Sequence, residues 1–334
     1  MTARESSSGT AASTSKPTTT SEPRESETRH SSGSTSSSLP SVLALFGPTA
    51  SGKSAVAEAI ADRVPAELVS ADSMQVYRGL PILTNQPARP TRLVAIWPLD
   101  HEASVGAYQP LAHAAIDEIL AAGRAPVLVG GTGLYMRAAL TELRLPPRPA
   151  PEARRRWEEF YDSHGPIHAH GRLQALDPEA AAAVHPNDRR RVVRALELAE
   201  VGSSLAGGRL WDENYRHPTL LVGLDVPPGE LERRIEQRTR AMFDAGVEDE
   251  VRTALAAPIS ATARRVLGLD EVATLPREEA IQALVVRTRR YAAYQRKWLR
   301  RTPGLVSVPA DRPVAEVAAE ILEVARARKC LPPR

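Results

Sequence analysis

The chain has 334 residues, 42 % hydrophobic and 25 % charged, enough apolar material for a core that needs neither disulfides nor a structural metal. Its single cysteine, Cys330, excludes a disulfide framework, a cysteine zinc finger and an iron–sulfur cluster, and fits a reducing cytoplasm. No apolar run reaches the roughly 18 residues of a membrane span, and 43 basic against 40 acidic side chains leave a net charge of +3 that alone says little about nucleic acid.

Residues 1–40 are mostly Ser and Thr with balanced charges. They carry too few large apolar groups to offset the entropy of ordering, and read as a disordered tail. An apolar run at 42–46 follows, ended by Gly47-Pro48. It is continuous rather than alternating, as buried parallel strands are. Similar runs stand at 67–71, 92–97, 126–130 and 220–225, with a weaker one at 305–308. Helical patterns at 54–64, 108–122 and 133–140 lie between them. The alternation predicts an α/β fold, a doubly wound parallel sheet. Residues 145–217 interrupt it with a proline-rich opening and then helix after helix. The expected layout is a helical insertion in a core made of 41–144 and 218–325. Residues 229–245 resume with an amphipathic helix, Leu231, Ile235, Met242 and Phe243 on one side.

Gly47-Pro48-Thr49-Ala50-Ser51-Gly52-Lys53-Ser54 matches G-x-x-x-x-G-K-[ST] in full, after a strand and before a helix. Backbone N–H groups of such a loop curl around phosphate oxygens, and the helix N-terminus adds partial positive charge. Lys53 would contact the phosphates and the Ser54 hydroxyl would ligate Mg²⁺. A nucleotide triphosphate is the usual ligand, but any diphosphate ester satisfies the same donors. Asp72 directly follows the strand at 67–71 and is the candidate acidic residue for Mg²⁺, with a helix N-cap as the bland reading. A second glycine-rich turn, Gly130-Gly131-Thr132-Gly133, follows the fourth strand. Ligands of open parallel sheets bind beyond strand C-termini, so Gly47, Asp72 and Thr132 should share one crevice.

The basic residues are clustered. Residues 189–194 hold four arginines, and residues 287–301 hold seven basic side chains and no acidic one, interleaved with Tyr291, Tyr294 and Trp298. Arginines suit phosphates and aromatics suit unpaired bases; a solvated helix face is the alternative for either run.

The segments GPTASGKS, SADSMQVYRGLPILTNQP, GRAPVLVGGTGLYMRAAL, HPNDRRRVVRALEL, LERRIEQRTRAMFDAGVEDEV and TRRYAAYQRKWLRR together resemble the tRNA dimethylallyltransferase family, in the same order. The resemblance implies transfer of a dimethylallyl group from dimethylallyl diphosphate to N6 of adenosine 37, in tRNAs that read codons beginning with U. The expected partner is then the tRNA anticodon stem-loop; Mg²⁺, read from Ser54 of the phosphate loop, is the expected cofactor, and a monomer the expected state. Asp72 then matches the family's general base. Thr132 would donate to the oxygen bridging prenyl carbon and diphosphate; an N-cap of the helix at 133–140 is the bland reading, compatible with it. Arg234 matches an arginine on the diphosphate, a solvated helix face being the bland reading. Asp72, Ser73, Met74 and Gln75, with Arg190, Arg191, Val192, Val193 and Arg194, coincide with family segments that touch tRNA, and Arg154 is a further candidate.

Three departures fall in segments the resemblance associates with RNA: Gly268-Leu269-Asp270 for Gly-Tyr-Arg, Ala293-Tyr294-Gln295 for Lys-Arg-Gln, and a short 87–97 lacking a His-His pair. Other readings are prenyl transfer to free adenine nucleotides, which needs no helical insertion, a P-loop kinase, for which no arginine-rich lid is evident, and a tRNA-binding relative without catalysis, against which Lys53, Asp72 and Thr132 stand intact.

Overall fold

A computed structural model describes residues 42–143, 145, 150–205 and 214–328. The expected tail at 1–40, the prolines of 146–149 and Cys330 lie outside the described residues. Strands β1 (Val42–Phe46), β2 (Ala66–Ser70), β3 (Thr91–Arg92), β4 (Ala125–Gly130), β5 (Thr219–Asp225) and β6 (Val306–Pro309) form one sheet in the order β3-β2-β4-β1-β5-β6. Every pairing in it is parallel. All five residues of β1 are buried, which is why that run shows no alternation.

The expected strand at 92–97 is a correction. Only Thr91 and Arg92 pair with β2, because Leu93 and Ala95 take φ of 64° and 53°, left-handed conformations that cannot continue a ladder. Backbone groups there bond instead to the loop after β2: Ala95 N–H donates to Gln75 and Trp97 N–H to Val76.

Helices α1 (Lys53–Ala61), α2 (Val105–Ala121) and α3 (Gly133–Leu140) connect the first strands. Helices α4 (Pro151–Leu176), α5 (Pro178–Ala183) and α6 (Arg189–Glu200) stand between α3 and β5 in the chain and enclose a hydrophobic cluster of their own. Tyr161, Leu173, Val192, Val193 and Leu196 are in it. Then come α7 (Pro228–Asp244), α8 (Val247–Leu255), α9 (Leu269–Thr274), α10 (Arg277–Arg301) and α11 (Val314–Ala327). Helix α10 buries Ile281, Leu284, Thr288, Ala292 and Gln295, a stripe at three- and four-residue spacing. The sequence patterns above foresaw α7 but not α8, α9, α11 or the reach of α10. Among the described residues no helix is long and apolar enough to cross a membrane.

Candidate active site

Strand β4 pairs with β1 on one side and β2 on the other. The C-terminal ends of the three strands are therefore neighbours, and so are the loops they feed: the phosphate loop, Asp72, and the Gly131–Thr132 turn. A cavity of about 550 Å³ opens there, lined by Lys53, Ser54, Asp72, Gln75, Arg234 and Tyr291 among others; Thr132, expected in the same crevice, is not in its lining and meets it through Tyr291.

The phosphate loop is built to receive an anion. Helix α1 starts at Lys53 and no side chain caps it, so its first N–H groups remain available. Ala50 is held at φ 64°, a conformation that costs an alanine about 1 kcal/mol or more and persists only where its surroundings impose it. Not every loop group faces a ligand, however. Thr49 N–H donates to Gln295 Oε1 at 2.7 Å, and Lys53 Nζ donates to the Pro48 carbonyl at 2.7 Å. The Ser51 hydroxyl is buried and has no partner among the described residues.

Three cations meet in this cavity. Burial lowers the Lys53 pKa to about 7, against the pull of Asp72 and with the help of Arg238. Arg234 donates to Glu230 at 2.6 Å and to the Ala310 carbonyl at 3.1 Å. Arg238, one turn further along α7, also lines the cavity and donates to the Thr49 hydroxyl. Its Nε is buried without a partner among the described residues, and burial lowers its pKa while Asp72 opposes. Arg238 was missed in the sequence, where the four-residue spacing from Arg234 signals a shared helix face.

Asp72 is not a helix N-cap, since turns rather than a helix follow it. Its Oδ1 accepts from Met74 N–H at 2.9 Å, which anchors one oxygen while the residue borders the cavity. Thr132 occupies the N-cap position of α3, yet its hydroxyl makes no capping bond. That hydroxyl instead lies 3.3 Å from both Ser73 Oγ and the Tyr291 hydroxyl. Tyr291 has its pKa raised, chiefly by burial, and stays a donor at neutral pH. Met74 and Gln75 line the cavity as well. The Gln75 amide is committed to the loop, accepting from Ser70 Oγ at 2.9 Å and donating to the Asn85 carbonyl at 2.8 Å.

The residues expected on the RNA side divide sharply. Val192 and Val193 are 0 % and 1 % exposed, inside the α4–α6 cluster, so their side chains cannot reach RNA. This corrects their assignment: a helix that presents arginines outward at 190 and 191 must turn its next two residues inward. Arg190 and Arg191 are exposed and form no ion pair with the described residues. Arg189 forks both oxygens of Asp162 at 2.7 and 2.6 Å. Arg194 and Arg154 both approach the buried Glu197, at 3.2 and 3.5 Å. Leu269 is fully buried, which explains an apolar residue there, and Tyr294 is exposed on α10.

Fold and cavity together define a P-loop α/β protein whose cationic crevice has, among the described residues, one carboxylate in its lining, that of Asp72. The sequence pattern of the family described as IPP transferase matches residues 75–302. The tRNA dimethylallyltransferase of Thermobifida fusca is 42 % identical over 293 residues, 82 % of this chain and 92 % of that protein. The tRNA dimethylallyltransferase of Acidothermus cellulolyticus is 42 % identical over 301 residues, 86 % and 94 % of the two chains. A crystal structure of the full-length tRNA isopentenylpyrophosphate transferase from Bacillus halodurans superposes with a TM-score of 0.64 at 32 % identity, covering 86 % of this chain and 96 % of that one. The chain belongs to the IPP transferase family.

Proposed function

We propose that this enzyme transfers the dimethylallyl group of dimethylallyl diphosphate to N6 of adenosine 37 in tRNA, giving N6-isopentenyladenosine and diphosphate. The observation that carries the reading is the shared cavity: Lys53, Arg234 and Arg238 line it together with Asp72. Three cations suit a diphosphate, and a carboxylate beside them suits the proton released when an amine is alkylated.

In this reading the phosphate loop and the three cations hold the diphosphate. The N6 nitrogen attacks the prenyl C1, the C1–O bond breaks, and its electron pair leaves with the diphosphate. Asp72 takes the proton from N6 as the N6–C1 bond forms. Thr132 donates to the bridging oxygen, where charge develops. The exposed Arg190 and Arg191 contact RNA phosphates, with helices α4–α6 as the part that carries them.

The donor set fits Mg²⁺ in one form only. The Ser54 hydroxyl borders the cavity, and no cluster of three or more His, Cys, Asp or Glu suited to a metal exists among the described residues. Mg²⁺ commonly takes one or two protein ligands and completes its shell with phosphate oxygens and water. When bound, the ion would neutralise charge on the departing diphosphate.

The test offers radiolabelled dimethylallyl diphosphate with tRNA, with AMP, or with neither. Label is expected in tRNA alone. Equal labelling of AMP would point to a free-nucleotide enzyme, and ATP turnover without prenyl transfer would point to a kinase.

A further inference from the structure

Helix α10 sends three side chains of one face onto three consecutive residues of the second loop. The Tyr291 hydroxyl meets Thr132 at 3.3 Å, and Gln295 Nε2 donates to the Gly131 carbonyl at 2.9 Å. Trp298 packs on Gly133, where a Cβ would come within 2.2 Å of the indole. At Gly131 a Cβ would come within 2.2 Å of Gln295 Nε2, so both glycines are required by close approach. Gln295 reaches further than its neighbours. Its Oε1 accepts from Thr49 N–H at 2.7 Å, so a single amide, 2 % exposed, joins the phosphate loop to the Thr132 turn.

Both ends of that amide are committed, and their directions are set. The acceptor must face a backbone N–H and the donor must face a backbone carbonyl. Glutamate would turn an acceptor toward the Gly131 carbonyl, and methionine would fill the space with neither bond. In the proposed transfer, which this inference presupposes, the diphosphate sits on one loop and the donor to its bridging oxygen on the other. The spacing of the two loops then sets how well Thr132 meets the leaving oxygen. A misplacement of about 1 Å can lower a rate on the order of 10²-fold.

We infer that Gln295 is a positioning residue for the prenyl transfer, holding Thr132 at its working distance from the phosphate loop through the Thr49 and Gly131 backbone. Gln295 borders the cavity, but both ends of its amide are taken by backbone groups, so it acts through Thr132. The experiment is a double-mutant cycle on the full chain with Gln295→Met, Thr132→Ala and the double variant, each measured for kcat and for KM toward tRNA. Alone, Gln295→Met is expected to lower kcat roughly 10²-fold while KM for tRNA changes by less than about twofold. In the Thr132→Ala background the same change is expected to lower kcat by less than about fivefold, because the group it positions is gone. Equal losses in both backgrounds would make Gln295 independent of Thr132 and overturn the proposal. Unchanged turnover of Gln295→Met overturns it too, as does failure of that variant to fold, since the amide would then be a stability element. A wild-type chain without prenyl transfer refutes the proposed function instead, so the two failures are distinct.

Discussion

Lys53 turns its ammonium onto the backbone of the loop that carries it, Nζ donating to the Pro48 carbonyl at 2.7 Å. Its pKa falls from 10.5 to about 7, burial being the largest cause. An anion bound beside it favours the charged form. Donor binding above that pH should therefore take up a proton. Calorimetry at about pH 8 in two buffers of different ionisation enthalpy measures the uptake; it is expected in the wild type and lost in Lys53→Met. Equal uptake in both proteins would assign the proton elsewhere.

The same shift has a consequence for stability. The folded pKa of about 7 lies below the unfolded 10.5, so between these values the unfolded chain holds the extra proton. Stability from this site accordingly rises with pH across that window and is lowest below it. Lys53→Met is expected to raise Tm at neutral pH while weakening donor binding, and to lose the advantage near pH 10.5. A Tm lowered at pH 7 would contradict the burial argument.

Asp72 faces the donor cations but has one oxygen anchored on Met74 N–H. Asp72→Asn preserves shape and removes the base. Turnover is expected to fall about 10²–10⁴-fold with affinity for dimethylallyl diphosphate within a few-fold of wild type. Retained turnover would move the base to another group.

The arginine run of α6 makes a contrast within four residues. Arg190 and Arg191 are exposed without an ion pair to the described residues, whereas Arg189 is forked onto Asp162. Replacing both 190 and 191 by alanine should raise KM for tRNA and flatten the logarithmic salt dependence by roughly 0.7–0.9 for each phosphate that is no longer neutralised. Arg189→Ala should leave that slope nearly intact, and neither change should alter donor affinity. If the double variant has the wild-type slope, α6 is not the RNA surface.

Val192 is fully buried between α4 and α6. Val192→Ala removes two methyl groups from that cluster and should destabilise it by roughly 2 kcal/mol. Hydrogen exchange is expected to speed up in α4–α6 and not in the sheet. A tRNA defect with wild-type exchange rates would restore this valine to the RNA contacts.

Much of the donor site is legible from local pattern. The loop from Gly47 to Ser54 declares itself because a phosphate cradle needs small residues, a lysine and a hydroxyl at fixed spacing between a strand and a helix. Five of the six strands could be placed within a residue or so: β1 and β4, buried almost throughout, stay apolar, whereas β6, exposed at Ser307 and Pro309, gave the weaker run. Even the nearness of Asp72 and Thr132 to the loop follows from strand ends in a parallel sheet.

Tertiary structure alone decided the rest. Thr91–Arg92 is a strand and 93–97 is not, because hydrogen bonds from a distant loop outcompete an edge pairing that apolar composition favours. Val192 and Val193 belong to a core while Arg190 and Arg191 face outward, a difference set by which side of α6 meets α4. Gln295 lies 246 residues from the Thr49 it holds. Its place on the buried stripe of α10 follows a readable spacing, but its partners do not: two backbone groups in remote loops meet one amide only once the sheet has brought the loops together and α10 has packed across them.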